Sequence, residues 1–173
     1  ISVGNTVSSW VRDVKVADWY NVEITTKNSA RNLYDRIWLS DLFFHPWNEA
    51  AFSFDSGAID SVVQNSIFTR NFVDVKFQVG ASGNAWIYNY QRRAGGDECH
   101  VASTSGSGNG GQERAIFFHG LANETLIEGN DTGCSIEMDQ FWGPQAYRNT
   151  LYRNRAGLMA SDPNARDYGI VTE

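Results

Sequence analysis

Residues 65–89 read NSIFTRNFVDVKFQVGASGNAWIYN and carry the pattern that decides the fold. Short runs with an apolar residue at every second position are separated by Asn, Asp, Gly and Ser. Period-two alternation is typical of strands, and these runs lack the i, i+3, i+4 apolar spacing of an amphipathic helix. Similar runs recur along the chain, which indicates an all-β fold.

Apolar residues recur at regular intervals when these runs are aligned. One series consists of Val14, Ile37, Ile67, Ile87, Ile127 and Leu151. A second series consists of Val22, Phe52, Val75, Ile116, Ile136 and Leu158. Both advance by about 20 to 24 residues per step, the length of one coil of three short strands, and both lengthen at the same places. The long steps predict loop insertions at residues 42–49 and 94–112.

These series predict a parallel β-helix, a solenoid of short strands in which each coil covers the next. Residues 1–173 are predicted to form one single-stranded domain of about six to seven coils. Right-handedness is expected from the strong preference of parallel strand crossovers. Neither end of the chain offers a polar or helical cap, so we expect more chain, another subunit or stacked copies to cover the terminal coils.

Composition limits the classes of partner. The chain is 42% hydrophobic and 13% aromatic, enough to bury one substantial core. Its 14 basic and 20 acidic residues give a net charge of -6, which disfavours binding to nucleic acid or to anionic lipid. No stretch approaches the roughly 18 apolar residues of a membrane span. Few Lys and many Asn, Ser, Thr and Gly favour an extracellular or cell-surface location.

Four segments resemble secreted right-handed parallel β-helix repeat proteins of the pectate-lyase-like superfamily, of a bacterial surface or extracellular type. They are SWVRDVKVADWYNVEITTKNSARNLYDRIWLSD (9–41), RNFVDVKFQVGASGNAWIYN (70–89), ERAIFFHGLANETLIEGNDTG (113–133) and FWGPQAYRNTLYRNRAG (141–157). The resemblance implies the fold but matches no specific enzyme. The Asn-Thr-Asp, Asp-Asp and Gly-His-Gly motifs of polygalacturonase-type relatives do not occur, and no lyase-type cluster of carboxylates beside a basic residue can be identified.

Equivalent positions on successive coils are expected to point the same way. Aligned on the second series, the outward column reads Thr25, Asp55, Gln78, His119 and Asp139. This alignment predicts that His119 lies about 5 Å from Asp139 and about 10 Å from Asp55. A His between carboxylates can act as a general base or contribute to a metal site, so these three residues are the catalytic candidates. The alternative is an ordinary polar ladder on a solvated face.

Ligand contact is predicted on aromatic side chains near the loops. Sugars stack on exposed rings, so His45 and Trp47, together with Trp142 and Tyr147, are candidates for a carbohydrate platform. The alternative is that these rings fold back over the apolar side of the coil.

Cys99 and Cys134 are candidates for a disulfide in an oxidising compartment, or else are buried small residues. No cofactor is expected. The spacing around Cys99 argues against zinc, and calcium held by loop carboxylates remains an alternative.

Two functions follow from these observations. The first is a non-catalytic one: an extracellular structural or adhesive module of a surface protein or fibre, in contact with glycans or with neighbouring copies of itself. The second is a polysaccharide lyase or glycosidase that acts on an acidic or a plant or algal polysaccharide. Regular coils and missing catalytic motifs favour the first.

Overall fold

The computed structural model describes residues 1–19, 24–42, 50–71, 73–92, 114–133, 135–138, 147–156 and 170–172. Within these ranges every regular element is a β-strand, so the described part of the chain is all-β, as the sequence predicts. The same part contains no helix that is long and apolar enough to cross a membrane.

Three parallel sheets contain most of the strands. Sheet I has the order β1 (Ser2–Gly4), β4 (Ile24–Lys27), β8 (Phe52–Phe54), β12 (Val73–Phe77), β15 (Arg114–Phe118), β18 (Ser135–Met138), β21 (Ile170–Thr172). Sheet II has the order β19 (Thr150–Tyr152), β16 (Leu126–Glu128), β13 (Ala85–Ile87), β10 (Val62–Gln64), β6 (Leu33–Asp35), β2 (Trp10–Arg12). Sheet III has the order β20 (Arg155–Ala156), β17 (Asp131–Thr132), β14 (Tyr90–Arg92), β11 (Ile67–Thr69), β7 (Trp38–Leu42), β3 (Lys15–Trp19). A small fourth sheet pairs β5 (Ser29–Ala30) with β9 (Ala58–Ile59).

The described strands follow one another through sheets I, II and III in rotation, and we call one such pass a circuit. Hydrogen-bonded residues on successive circuits are 23, 29, 23, 41 and 24 residues apart in sequence. The two long steps occur where the sequence predicts insertions at 42–49 and 94–112. Leu42 itself is the last residue of β7, and residues 43–49 and 94–112 lie outside the described ranges.

Sheet I has an inward aromatic column that measures the spacing between circuits. Phe54, Phe77 and Phe118 are all fully buried and pair with one another across β8, β12 and β15. The rings of Phe54 and Phe77 are nearly parallel, with centroids 4.8 Å apart, and the centroids of Phe77 and Phe118 are also 4.8 Å apart. This distance equals the usual separation of hydrogen-bonded strands, so the rings stack at the backbone repeat.

The second apolar series is confirmed for four of its six members. Val22 and Leu158 are wrong, because Ile24 pairs with Phe52 and Ile170 pairs with Ile136; Val22 and Leu158 themselves lie outside the described residues. Phe52, Val75, Ile116 and Ile136 form one column of paired, buried residues, as predicted. Ile24, rather than Val22, pairs with Phe52. Thr25 therefore pairs with Ser53. Thr26 pairs with Phe54, which places Lys27 at the position after this pair. Side chains alternate with period two, so a slip of two residues preserves the inward and outward pattern and is invisible in the sequence.

The first apolar series is wrong for most of its members. The inward column of sheet II consists of Val11, Tyr34, Val63, Trp86, Ile127 and Leu151, of which only the last two were predicted. Ile67 begins β11 on the outer face and is 38% exposed. Large aromatic side chains fill the interior at Tyr34 and Trp86, whereas Ile67 and Ile87 occupy outer positions beside the column, so alignment on these two isoleucines selects the wrong face. Val14 and Ile37 do pack in the core, but outside this column.

Two turns in each circuit place one residue in the left-handed backbone region. Before sheet II these residues are Ser8, Arg31, Asp60, Gly83, Glu124 and Arg148, and between sheets II and III they are Asp13, Arg36, Asn65, Tyr88, Gly129 and Arg153. The φ of Arg36 is 54° and that of Tyr88 is 55°. Most residues avoid this region, so the surrounding hydrogen bonds must hold these turns in place.

Those hydrogen bonds come from polar side chains that directly follow the left-handed residues. The backbone N–H of Ser66 donates to Oδ1 of Asn89 at 3.0 Å, that of Asn89 to Oδ1 of Asn130 at 2.9 Å, and that of Asn130 to Oδ1 of Asn154 at 3.1 Å. Bonds of the same type before sheet II join Ser9 to Asn32, Asn32 to Ser61, Ser61 to Asn84, and Thr125 to Asn149. At each of these turns one circuit satisfies a backbone N–H of its neighbour.

A buried carboxylate lies at the turn between sheets II and III. Asp35 is only 4% exposed, and its Oδ1 accepts hydrogen bonds from Nδ2 of Asn65 at 3.0 Å and Nε2 of Gln64 at 3.3 Å. Arg36 and Arg12 lie beside its other oxygen. The hydrogen bond from Asn65 is the main cause of a lowered pKa of Asp35, and Gln64 and the two guanidinium groups add to it against the opposing effect of burial.

We expect Asn130→Ala to lower the free energy of unfolding by about 2 to 4 kcal/mol, because the buried N–H of Asn89 and the carbonyl of Trp86 both lose their partner. Urea denaturation measures this change. Asn123→Ala is the control, because the half-exposed amide of Asn123 contacts the exposed Tyr147, and we expect a loss below about 1 kcal/mol. Equal losses in the two variants would contradict a structural role for the ladder.

We expect Asp35→Asn to destabilise the protein at neutral pH and the deficit to shrink on acidification. A lowered folded-state pKa contributes stability above the unfolded value of about 3.9, and this contribution is lost as pH falls through the folded value. Thermal melting between pH 7 and pH 2.5 measures the difference from the wild-type chain. Asp60→Asn makes the same charge change at an exposed turn. A deficit of Asp35→Asn that is constant with pH would show that the carboxylate charge is not stabilising.

Candidate functional site

The outer face of sheet III carries a row of exposed apolar side chains. Trp38, Ile67 and Tyr90 occupy paired positions on β7, β11 and β14 and are 41%, 38% and 44% exposed. Lys15 on β3 pairs with Trp38 and continues the row. We call these four residues the sheet III strip.

Strand alternation produces the strip. Leu39 and Phe68, which follow Trp38 and Ile67, are fully buried in the core, so their predecessors must point outward. Gln91 follows Tyr90 and is also fully buried, where its side-chain amide contacts Asp74, Ala115 and Trp86. The strip therefore lies on a closely hydrogen-bonded backbone, and the spacing of its side chains is fixed by the sheet.

A cationic side chain lies over each aromatic ring of the strip. The ammonium nitrogen of Lys15 lies 4.1 Å from the ring centroid of Trp38, and the guanidinium carbon of Arg92 lies 4.8 Å from that of Tyr90. Nε1 of Trp38 donates a hydrogen bond to Oγ1 of Thr69 at 3.2 Å. Both cations lie over a face of their ring within the range of cation–π attraction, so one face of each ring carries a charged hydrogen-bond donor.

Ion pairs fix the charged groups near the strip. Asp131 accepts a hydrogen bond from Nη2 of Arg92 at 3.0 Å, and Nη1 of Arg155 lies 3.8 Å from the same carboxylate. Asp41 pairs with Arg70 at the end of β7. The hydrogen bond from Arg70 is the main cause of a lowered pKa of Asp41. These pairs keep the surface beside the rings charged but locally balanced.

Exposed aromatic rings on other surfaces also lie next to cations. The pairs are Trp10 with Arg12 at 5.5 Å, Tyr147 with Arg148 at 6.0 Å and Tyr152 with Arg153 at 4.8 Å, measured from the guanidinium carbon to the ring centroid. In each pair the Arg follows the aromatic residue by one or two positions. Sequence reasoning missed the strip, although the same spacing in Tyr90-Gln91-Arg92 was a usable signal.

The predicted outward column is present in part. Asp55, Gln78 and His119 follow the inward Phe54, Phe77 and Phe118, and their N–H groups each donate to the preceding circuit. His119 is two strand spacings from Asp55, about 10 Å, as the sequence predicts. Lys27, and not Thr25, occupies the first position of the column, and Asp139 lies outside the described residues.

The side chains of this column have local partners. The carboxylate of Asp55 lies 3.7 Å from Nζ of Lys27 and accepts a hydrogen bond from the N–H of Ser56 at 2.7 Å. The imidazole of His119 lies against the ring of Phe117, with centroids 5.3 Å apart. Asp55 thus has a cation, rather than His119, as its close partner, and this arrangement resembles a polar ladder.

Most of the predicted ring platform lies outside the described residues. His45, Trp47 and Trp142 lie outside them. Tyr147 is 51% exposed and its hydroxyl accepts a hydrogen bond from Nδ2 of Asn123 at 3.3 Å, at a turn before sheet II and away from the sheet III strip.

Cysteine and metal predictions are only partly addressed. Cys99 and Cys134 both lie outside the described residues. Among the residues that are described, no group of three or more His, Cys, Asp and Glu side chains is arranged to hold a metal ion.

Comparison with known proteins adds no further assignment. This chain matches no protein-family model, no curated protein and no solved structure.

Proposed function

We propose that the chain is an extracellular structural or adhesive module with a right-handed parallel β-helix fold, similar to secreted pectate-lyase-like proteins, and that it contacts glycans through the sheet III strip. Neighbouring copies or further chain would cover the terminal coils. No cofactor is required for this role.

The rotation of the strands supports the fold in this proposal. Every pairing in the three sheets is parallel, and the stacked column of Phe54, Phe77 and Phe118 repeats at 4.8 Å. A single coil wound through three sheets is the simplest arrangement with both properties. Such a coil is rigid along its axis, which suits a module that must hold its position in a larger surface structure.

The single observation that carries the binding role is the exposed row of Trp38, Ile67 and Tyr90 flanked by hydrogen-bond donors. Aromatic rings with a polar group at the flank match sugars, whose C–H faces are apolar and whose hydroxyls need hydrogen-bond partners. Rings held on sheet strands lose little conformational freedom on binding.

We expect Trp38→Ala and Tyr90→Ala each to weaken glycan binding roughly three- to tenfold, since an aromatic contact contributes about 0.5 to 1.5 kcal/mol. A panel of immobilised polysaccharides identifies the ligand, and isothermal titration calorimetry measures the affinity of each variant.

Trp10→Ala is the matched control for these variants. Trp10 is 67% exposed and lies next to Arg12, but it is on sheet II. We expect its replacement to leave affinity unchanged. An equal loss with Trp10→Ala, or no binding of the wild-type chain to any polysaccharide of the panel, would contradict the proposal.

The second candidate is a polysaccharide lyase or glycosidase with His119, Asp55 and Asp139 as acid, base or metal ligands. The succession of Asp55, Gln78 and His119 on neighbouring strands supports it. Turnover of at least one polysaccharide, lost in His119→Ala and retained in Gln78→Ala, would favour the enzyme. Absence of turnover on an acidic, plant and algal panel would favour the binding module.

A further inference from the structure

We infer that the sheet III strip binds an extended β-1,4-linked hexose polymer that crosses the strands, with alternate sugars on Trp38 and Tyr90. This inference rests on the proposed function, and it adds the linkage and the orientation of the glycan.

The spacing of the two rings is the first observation. Ile67 pairs with Trp38 on one side and with Tyr90 on the other, so the backbone positions that carry the two rings are two strand spacings apart. The stacked phenylalanines of sheet I give 4.8 Å per spacing in this molecule. The backbone positions of Trp38 and Tyr90 are therefore about 9.6 Å apart.

The direction of the ligand follows from which residues share a strand. Each of β7, β11 and β14 contributes only one side chain to the strip. The residues two positions further along these strands are Ser40, which is buried, Thr69 and Arg92, none of which is aromatic. A glycan parallel to the strands would therefore meet a single ring. Only a chain that crosses the strands contacts both Trp38 and Tyr90.

Polymer geometry selects the linkage. In an extended β-1,4-linked hexose chain successive sugars are turned over, so every second sugar presents the same face, and the two-residue repeat is close to two strand spacings of about 9.6 Å. Chains with α-1,4 or β-1,3 linkages curve away from a straight line. They can contact one ring of the strip but do not follow both.

The side chains between and beside the rings fit the same ligand. Ile67 gives the intervening sugar an apolar surface, which keeps the contact continuous. Lys15 and Arg92 lie over one face of each ring, and their donors would bind hydroxyls of a sugar that packs on the remaining ring surface. The centre of the strip is apolar, which suits the C–H faces of an uncharged polymer.

Calorimetry with uncharged hexasaccharides tests the inference. The probes are cellohexaose and chitohexaose for the β-1,4 linkage, maltohexaose for α-1,4 and laminarihexaose for β-1,3. We expect at least one β-1,4 probe to bind roughly tenfold or more tightly than both others, because a second ring contact adds to the first. Equal affinity for maltohexaose or laminarihexaose would overturn the inference.

A spacing variant tests the two-strand separation directly. Ile67→Tyr combined with Tyr90→Ala keeps two rings but brings them one strand apart. We expect it to bind the β-1,4 probe as weakly as Tyr90→Ala alone, because the second ring no longer lies two strand spacings from Trp38. Wild-type affinity in the double variant would overturn the inference.

The outcomes separate this inference from the proposed function. If Trp38→Ala weakens binding equally for all linkages, the strip contacts glycans but does not select the extended polymer, and only the inference fails. If no glycan binding depends on Trp38 or Tyr90, both fail. Circular dichroism of each variant confirms that the fold is retained.

Discussion

The whole described structure depends on one polar constraint, the hydrogen bond from a turn N–H to a side-chain oxygen on the next circuit. Residues such as Arg36 and Tyr88 adopt a left-handed backbone that they would normally avoid. The buried amides of Asn89 and Asn130 offset this cost because each pairs with a backbone N–H and a backbone carbonyl of another circuit. With the turns fixed in this way, the strands between them stay in register and the aromatic column of sheet I can stack.

The surface properties follow from that fixed register. Alternation along each strand sends Leu39 and Phe68 into the core and leaves Trp38 and Ile67 outside. Pairing between circuits then aligns outer residues into straight rows, so that residues distant in sequence become neighbours at one strand spacing. A row of rings with flanking Lys15 and Arg92 therefore needs no loop to position it, and its geometry is that of the backbone.

The sequence predicted the all-β class, the circuit length and the two long steps. Inserted residues lengthen the interval between equivalent strands, but they leave the period-two alternation of apolar residues within each strand unchanged. The sequence predicted the column of Phe52, Val75, Ile116 and Ile136 for the same reason. The sequence prediction failed where the residue type does not indicate burial. Tyr34 and Trp86 are buried while Ile67 is exposed, so the exposed strip was not predicted. The succession of Asp55, Gln78 and His119 could be predicted because each of these residues comes directly after a member of the correctly aligned column of Phe54, Phe77 and Phe118. A slip of two residues at Thr25 could not be detected from alternation alone.

One feature of the ladders bears on how such a chain can change during evolution. Asn89 and Asn130 are 41 residues apart and their hydrogen bond is 2.9 Å long, while Ser66 and Asn89 are 23 residues apart and theirs is 3.0 Å long. Extra chain between two circuits has left the bond across the junction intact. The extra residues come between β14 and β15, that is, between sheets III and I, whereas this bond lies at the turn between sheets II and III. Long peptides can thus be gained, lost or exchanged between sheets III and I without shifting the hydrogen bonds of the neighbouring turn, so new segments can be inserted beside an unchanged outer face.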